Sequence, residues 1–360
     1  MSENPKALKL FSPTRIAITI AIGLAVATYL VARNFDIKHF EDIEWTWYST
    51  LMIFIAVLMM AIRDLAYMYR IRVLTDYEIN WRNSFDTIML WEFASAISPS
   101  IVGGSGVAIY IVNKEGVKIG RSTAVVMTSA LLDELFYILT VPLIILAVGY
   151  QDLFPVQLQK EIFGVTLGTK GIFVVGYFFI VFLTSVISYA VFFQPRGFKW
   201  ILLWVFKLPF LRKWRHDAGD TGDDIIVTSN ELRHKPLMFW VRAFGATLVS
   251  WTARFWVVNF LILAFLSLNF QEHLMVYARQ LVMWVIMLIS PTPGSTGVAE
   301  IAFSGFLKTF IPLGLAGTLA LLWRLVSYYP YLFIGAVILP KWIRRTHIAK
   351  DSEDSKGQMH

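Results

Sequence analysis

The chain has 360 residues, of which 57% are hydrophobic and only 16% charged, with a mean hydropathy of +0.60. That is too little charge to cover the surface of a water-soluble domain of this length, so a soluble fold is excluded. The net charge of +7 raises the question of nucleic acid, but it is distributed as membrane topology distributes it, and no nucleic-acid partner is expected.

Apolar runs long enough to cross a hydrocarbon layer of about 30 Å recur along the chain. Six full spans are read, at roughly 14–33, 47–69, 121–148, 171–193, 240–268 and 315–340. Ala25-Val26-Ala27 resembles a signal-peptidase site, but the apolar run continues to Val31, so the first span is expected to be an uncleaved anchor. Two further apolar segments, 84–112 and 277–310, are interrupted near their middles by Pro and Gly. Basic residues (Lys6 and Lys9; Arg70, Arg72 and Arg82; Lys114, Lys118 and Arg121; the loop 194–239; Lys341, Arg344 and Arg345) alternate with acidic or balanced loops. Under the positive-inside rule this pattern is consistent only if each interrupted segment enters and leaves on one face, as a re-entrant hairpin or as two spans. Both termini then lie in the cytoplasm, and the location expected is the cell membrane.

Between the fourth and fifth spans, WILLWVFKLPFL at 200–211 is too short to span and reads as an interfacial amphipathic helix. The following HDAGDTGDD reads as a solvated, mobile segment, and the tail 343–360 as a solvated, disordered one. Trp45, Trp47, Trp200, Trp204 and Trp240 sit near span ends, as belt anchors do.

The interrupted segments resemble one another. SPSIVGGSGVAIY at 98–110 echoes SPTPGSTGVAEIA at 290–302, and ALLDEL at 130–135 echoes ALLWRL at 320–325, all offset by roughly 190 residues. The fold class expected is therefore all-α, a single polytopic bundle over 1–342 made of two inverted repeats. Repeat one covers about 47–148 and repeat two about 240–340, joined by the span 171–193 and the segment 194–239. Broken helices free backbone groups that lipid cannot satisfy, so they are tolerated only inside protein or beside water. In inverted-repeat transporters such breaks mark the transport site. Pro99, Gly103, Gly104 and Gly106 in one half, and Pro291, Pro293, Gly294 and Gly297 in the other, are the candidate hinge positions. The alternative is that they are kinks allowing close helix packing.

Charges inside apolar segments are the candidate cavity residues: Glu92, Asp133, Glu134, Arg254, Arg279, Glu300 and Arg324. Each unpaired charge at a bilayer centre costs about 2.5–3.5 kcal/mol on insertion scales, so they must pair or line water. Glu134 and Arg324 are repeat-equivalent and are expected to touch, with Asp133 and Arg254 alongside. Such pairing has two readings, a static interhelical ion pair and a polar cavity that attracts a phosphate. Arg63-Asp64 is read as a local, snorkelling pair.

The chain has no cysteine, which removes disulfides, thiolate nucleophiles and cysteine-based metal sites. Its six histidines lack metal-site spacing, and no phosphate-binding loop or nucleophile elbow occurs. No metal, no cofactor and no enzymatic activity are expected.

Two stretches carry a family resemblance. SPSIVGGSGVAIYIVNKEGVKIGRSTAVVMTSALLDEL and PTPGSTGVAEIAFSGFL resemble the core motifs of the lysylphosphatidylglycerol synthase transmembrane region, also called the flippase-like or UPF0104 membrane family. Pro293, Gly294, Gly297 and Glu300 match its second signature. Ser295 stands where a second glycine is usual, and Asp133-Glu134 stands where the family commonly has Glu-Arg. The resemblance covers about 14–342 and implies translocation or handling of a phospholipid or lipid-linked substrate. Members with synthase activity carry a further cytoplasmic lysyl-transferase domain, and that activity is not expected of these residues. The alternative is a non-transporting scaffold or accessory subunit of a membrane enzyme such as a glycosyltransferase.

Overall fold

The computed structural model describes residues 45–97, 101–156, 159–162, 165–205, 207, 215–287 and 298–357. The expected first span, 14–33, lies outside the described residues, as do Pro99, Pro291, Pro293, Gly294 and Gly297.

Twelve helices occur among the described residues. In chain order they are α1 (Trp47–Leu74), α2 (Trp81–Ile97), α3 (Ile101–Lys114), α4 (Ile119–Val148), α5 (Thr169–Ser188), α6 (Pro195–Val205), α7 (Arg215–Arg233), α8 (Leu237–Leu263), α9 (Phe270–Met287), α10 (Val298–Leu307), α11 (Leu313–Ser327) and α12 (Tyr329–Gly357). The only other regular elements among these residues are short. A 3₁₀ turn covers Gln151–Leu153, a π turn Tyr189–Phe193, and a two-stranded antiparallel ribbon pairs β1 (Gln159–Ile162) with β2 (Val165–Gly168). The protein is thus an all-α membrane protein apart from this ribbon. Five stretches are long and apolar enough to cross a membrane: α1, α4, α5, α8 and the run 315–346 that contains most of α11 and the first part of α12. They coincide with the five expected spans that the structure describes.

Local chemistry sets the helix ends. The Thr46 hydroxyl accepts the Ser49 amide at 3.1 Å, capping α1. Asn269 and Glu272 cap α9 reciprocally: the Asn269 side chain accepts the Glu272 amide, and Glu272 accepts the amide of Asn269. Gly149, at φ +81°, ends α4 in a conformation that costs glycine little. Inside α4, Pro142 has no N–H to offer the Ile138 carbonyl. The Tyr177 hydroxyl of α5 supplies that bond instead, at 2.9 Å.

The expected span 315–340 is two helices, parted at Tyr328. Pro330, two residues later, cannot donate to the preceding turn, and the backbone departs from helical geometry at Tyr328, with φ −131° and ψ −57°. The segment after α6, expected to be solvated and mobile, is a helix, α7, packed on α4 and α6. It buries Ile225, Ser229 and Leu232, and Asp224 lies so close to Gly120 that a Cβ there would fall 2.1 Å from it. Burial of one apolar stripe outweighs its polar composition. At the tail, α12 runs on to Gly357 where disorder is expected, because lengthening an existing helix avoids the nucleation step.

The first interrupted segment breaks between α2 and α3. A Cβ on Gly104 would sit 3.2 Å from the Ser95 Cα, whereas these residues would lie about 13 Å apart along an unbroken helix. Helix α3 therefore doubles back on α2. Helices α9 and α10 likewise pack on one another.

Two ends of the bundle can be told apart by contacts. At one end Asp76, after α1, meets Arg121 of α4 and Lys235 before α8. There too Arg345 of α12 meets Asp86, near the start of α2, and Glu115, just past α3. At the other end Ser49 of α1 donates to the Ala264 carbonyl beyond α8 at 2.6 Å, and Arg279 of α9 joins Asp152 to the end of α10. Helices α1 and α8 are antiparallel and form the most extensive pairing of the bundle.

Candidate functional site

The site is built on one face of α1. Arg63, Tyr67 and Arg70 follow at spacings of four and three, which places them in a row. The Tyr67 ring lies between the two guanidinium groups, 4.5 Å from Arg63 and 4.4 Å from Arg70. All three side chains are buried. The row is a buried cation–aromatic–cation column along the C-terminal half of α1.

Each end of the column carries its own acids. Arg63 pairs with Asp64 at 2.8 Å and with Glu92 of α2 at 2.5 Å. Its third polar contact is the Tyr331 hydroxyl of α12 at 2.9 Å, and that hydroxyl also lies 2.9 Å from Asp64. Arg70 holds both oxygens of Asp133 on α4, at 2.5 and 3.1 Å, and donates to the Thr247 hydroxyl of α8 at 3.0 Å. The Trp251 indole of α8 donates to the same carboxylate at 2.7 Å. One continuous polar network thus touches α1, α2, α4, α8 and α12. Two-pronged Arg–carboxylate contact fixes geometry as well as charge.

Arg63-Asp64 is therefore no snorkelling pair: Arg63 is 1% exposed and its acids come from two helices. Arg70, read from the sequence as a loop charge, is the partner of Asp133. The expected Glu134–Arg324 contact is not formed. Helix α4 turns Asp133 toward α1 and α8, where it takes the buried arginine, and the Glu134 Oε2 is buried with no hydrogen-bond partner. Arg324 is buried on α11, with its guanidinium over Trp323 and Tyr328.

Beside the network, Arg254 of α8 lies 5.5 Å over the Trp251 ring and 4.9 Å over the Trp284 ring of α9. Through Trp251 it adjoins Asp133, whereas the Glu134–Arg324 pair beside which both were expected is not formed. Among the described residues Arg254 forms no ion pair. The Tyr137 ring of α4 packs on the same two indoles, at 5.1 Å from Trp251 and stacked at 6.5 Å on Trp284. The Tyr137 hydroxyl is buried without a partner. Glu134 and Tyr137, three apart, share one face of α4.

Arg279 has a different role from the one expected. It donates to the carbonyls of Asp152 and Phe306, each at 2.9 Å, and to the Thr309 hydroxyl at 2.5 Å. A cation on the free carbonyls at the end of α10 satisfies groups the helix leaves unpaired and favours the helix dipole. The Tyr328 hydroxyl serves the Ala96 carbonyl at the end of α2 in the same way, at 3.0 Å. Glu300 lies in α10, and its side chain is outside the description; Gly103 lies in α3. Gly104 sits at the close α2–α3 approach, whereas Gly106 faces open space.

At the first end of the bundle, Glu115 accepts from the Trp342 indole at 2.6 Å and from Arg345, and Arg345 reaches the Asn83 side chain at 2.7 Å. Burial pushes the Glu115 carboxyl above its usual value, while these two donors pull it back. No cluster of acids and histidines that could hold a metal occurs among the described residues.

Comparison with known proteins agrees with the fold. No solved structure matches the chain. A UPF0104 membrane protein of Archaeoglobus fulgidus is 25% identical over 336 residues, covering 88% of this chain and 94% of that protein. The family model of the lysylphosphatidylglycerol synthase TM region matches residues 16–335, and the chain belongs to that family of integral membrane proteins.

Proposed function

We propose that this protein moves or presents the headgroup of a phospholipid or lipid-linked molecule at the polar network between its helices, while the acyl chains stay in the bilayer. The observation that carries this reading is the network itself. Arg63, Arg70, Glu92, Asp133, Glu134 and Arg254 all lie within apolar helices, where each charge is costly unless it has a use or a partner. Arg63, Arg70, Glu92 and Asp133 pair with one another and with Asp64. Glu134 and Arg254 do not, and a charged headgroup is the ligand that membrane surroundings offer to such groups.

The same reading takes the two halves as inverted repeats. Helix boundaries support it: α1 corresponds to α8, α2 to α9, α3 to α10, and α4 to α11 with the start of α12. The pair α1 and α8 is antiparallel, as inversion requires. The contacts of Arg345 support a first hairpin opening at the end rich in Arg121, Lys235 and Arg345, and those of Arg279 support a second opening at the opposite end. The basic end is taken as cytoplasmic by the positive-inside rule, with the protein in the cell membrane.

The absence of a Glu134–Arg324 contact means that coupling between the halves runs through α1 and α8 in this reading, by way of Arg70, Asp133 and Trp251. The test is a proteoliposome assay with fluorescent short-chain phospholipids. Wild-type protein should speed exchange between leaflets, and Arg70→Met should lose that acceleration. Exchange equal to that of empty vesicles, across anionic and zwitterionic headgroups, overturns the proposal.

A further inference from the structure

We infer that Arg254, Tyr137 and Glu134 form a phosphate-headgroup site that takes up one proton with the anion, the proton residing on Glu134. This deepens the reading above and rests on it for the source of the ligand.

Two buried polar atoms without a hydrogen bond, on Glu134 and Tyr137, share a face of α4, and Arg254 of α8 adjoins Tyr137 through Trp251 and Trp284. Arg254 has two indole faces and no carboxylate among the described residues. The Tyr137 hydroxyl and the Glu134 Oε2 are buried and accept or donate no hydrogen bond. Tyr137 lies within electrostatic reach of both charged side chains. It also shares Trp251 and Trp284 with Arg254. The neighbouring Arg70 is unavailable, because Asp133 and Thr247 occupy its donors. A guanidinium and a hydroxyl carried beside the same two indoles match the donor pattern that phosphate oxygens accept.

Charge explains the proton. An ionised Glu134, next in the chain to Asp133, would repel an anion bound beside Tyr137 and Arg254. Protonated, it carries no charge and offers an O–H. Anion and proton therefore favour one another, and the coupling is reciprocal. Of the other titratable groups on helices packed against α4, the following are engaged elsewhere. From α1, Tyr67 lies between Arg63 and Arg70. From α5, the Tyr177 hydroxyl serves Ile138. On α9, Tyr277 packs on Phe255 and Arg279 bonds Asp152 and Phe306. On α3, Tyr110 packs on Trp342 and beneath Lys114, and on α7 Asp224 lies against Gly120, near the start of α4.

The test is binding of dioctanoyl phosphatidylglycerol, a phosphodiester with no titration of its own near neutrality, to the full chain in detergent between pH 5.5 and 8.5. Wild type should lose affinity tenfold per pH unit over the upper part of that range. Glu134→Gln should bind with a flat profile at the strength wild type reaches at low pH. Arg254→Ala should lose binding at least tenfold, and Arg254→Lys should recover part of it. Both arginine variants are checked for an unchanged melting temperature and elution profile. Dioctanoylglycerol should not compete. Competition by inorganic phosphate at the same concentration as the lipid assigns the site to free phosphate and overturns the headgroup assignment. A flat wild-type profile, a slope that survives in Glu134→Gln, or unimpaired binding by folded Arg254→Ala overturns the inference. A flat wild-type profile with translocation intact would leave the broader proposal standing.

Discussion

Arg70 of α1 and Asp133 of α4 meet through two hydrogen bonds, at 2.5 and 3.1 Å, and this pair fastens the fourth helix to the first inside the bundle. The cost of breaking it is asymmetric. Removing one partner leaves the other charge buried and uncompensated, at about 3–5 kcal/mol. Removing both leaves an apolar contact. Arg70→Met or Asp133→Leu alone should lower unfolding stability in mixed micelles by about that amount, and the double variant should recover most of it. A double variant no better than the worse single one would show that Trp251 and Thr247 depend on the charges as much as the charges depend on each other.

Tyr331 and Tyr67 touch the same arginine by different means. The Tyr331 hydroxyl links Arg63 to Asp64, whereas Tyr67 offers Arg63 and Arg70 the face of its ring. Tyr331→Phe should cost about 1–3 kcal/mol, because it leaves buried polar partners short of a bond. Tyr67→Phe keeps the ring face and should be nearly neutral, while Tyr67→Leu should cost about 1–2 kcal/mol of cation–π contact. Thermal unfolding of the three variants checks the order.

Gly104 and Gly106 look alike in the sequence, and the structure separates them. A methyl group at Gly104 would strike Ser95, with its Oγ 2.4 Å and its Cα 3.2 Å away, while at Gly106 it would meet nothing within 4 Å. Gly104→Ala should therefore force α3 away from α2 and cost about 1–3 kcal/mol. Gly106→Ala should be neutral or raise stability by up to about 1 kcal/mol through helix propensity. Equal effects at the two positions would mean that the α2–α3 approach is looser than these distances. Gly335 of α12 belongs with Gly104, since its Cβ would fall 2.3 Å from the Phe93 Cβ of α2.

The sequence made the spans legible because hydropathy over twenty residues is a strong signal. It made the first interruption legible because Pro and Gly mark it. It hid the break at Tyr328, since Pro330 lies in a run with no glycine beside it and an apolar window averages over a single missing donor. The site was legible in its inventory and not in its pairing. Asp133, Glu92 and Arg254 stand out as charges in apolar runs. Arg70 lies near the end of its helix, where a basic residue is ordinarily a topology signal, and only the packing of α1 against α4 and α8 turns it inward. The same ambiguity disguised Arg63, whose neighbour Asp64 suggested a local pair. Repeat symmetry misled at Glu134, because equivalence in sequence fixes a helix and its height, while one residue of rotation decides whether Asp133 or Glu134 faces the partner.

The arrangement of the two ends can be tested directly, because the chain has no cysteine and any single introduced thiol reports only its own position. Lys118 and Arg344 are exposed and lie at the end where Arg345 meets Asp86 and Glu115. Gln151 and Gln271 are exposed near the opposite end, where Arg279 meets Asp152. If α2 and α3 open together on the cytoplasmic face, Lys118→Cys and Arg344→Cys should both resist a membrane-impermeant maleimide in intact cells and react after permeabilisation. Gln151→Cys and Gln271→Cys should react in intact cells. Labelling of Lys118→Cys from the side opposite Arg344→Cys would mean that α2 and α3 together cross the membrane once, and the correspondence of α1 through α3 with α8 through α10 as inverted copies would fall with it.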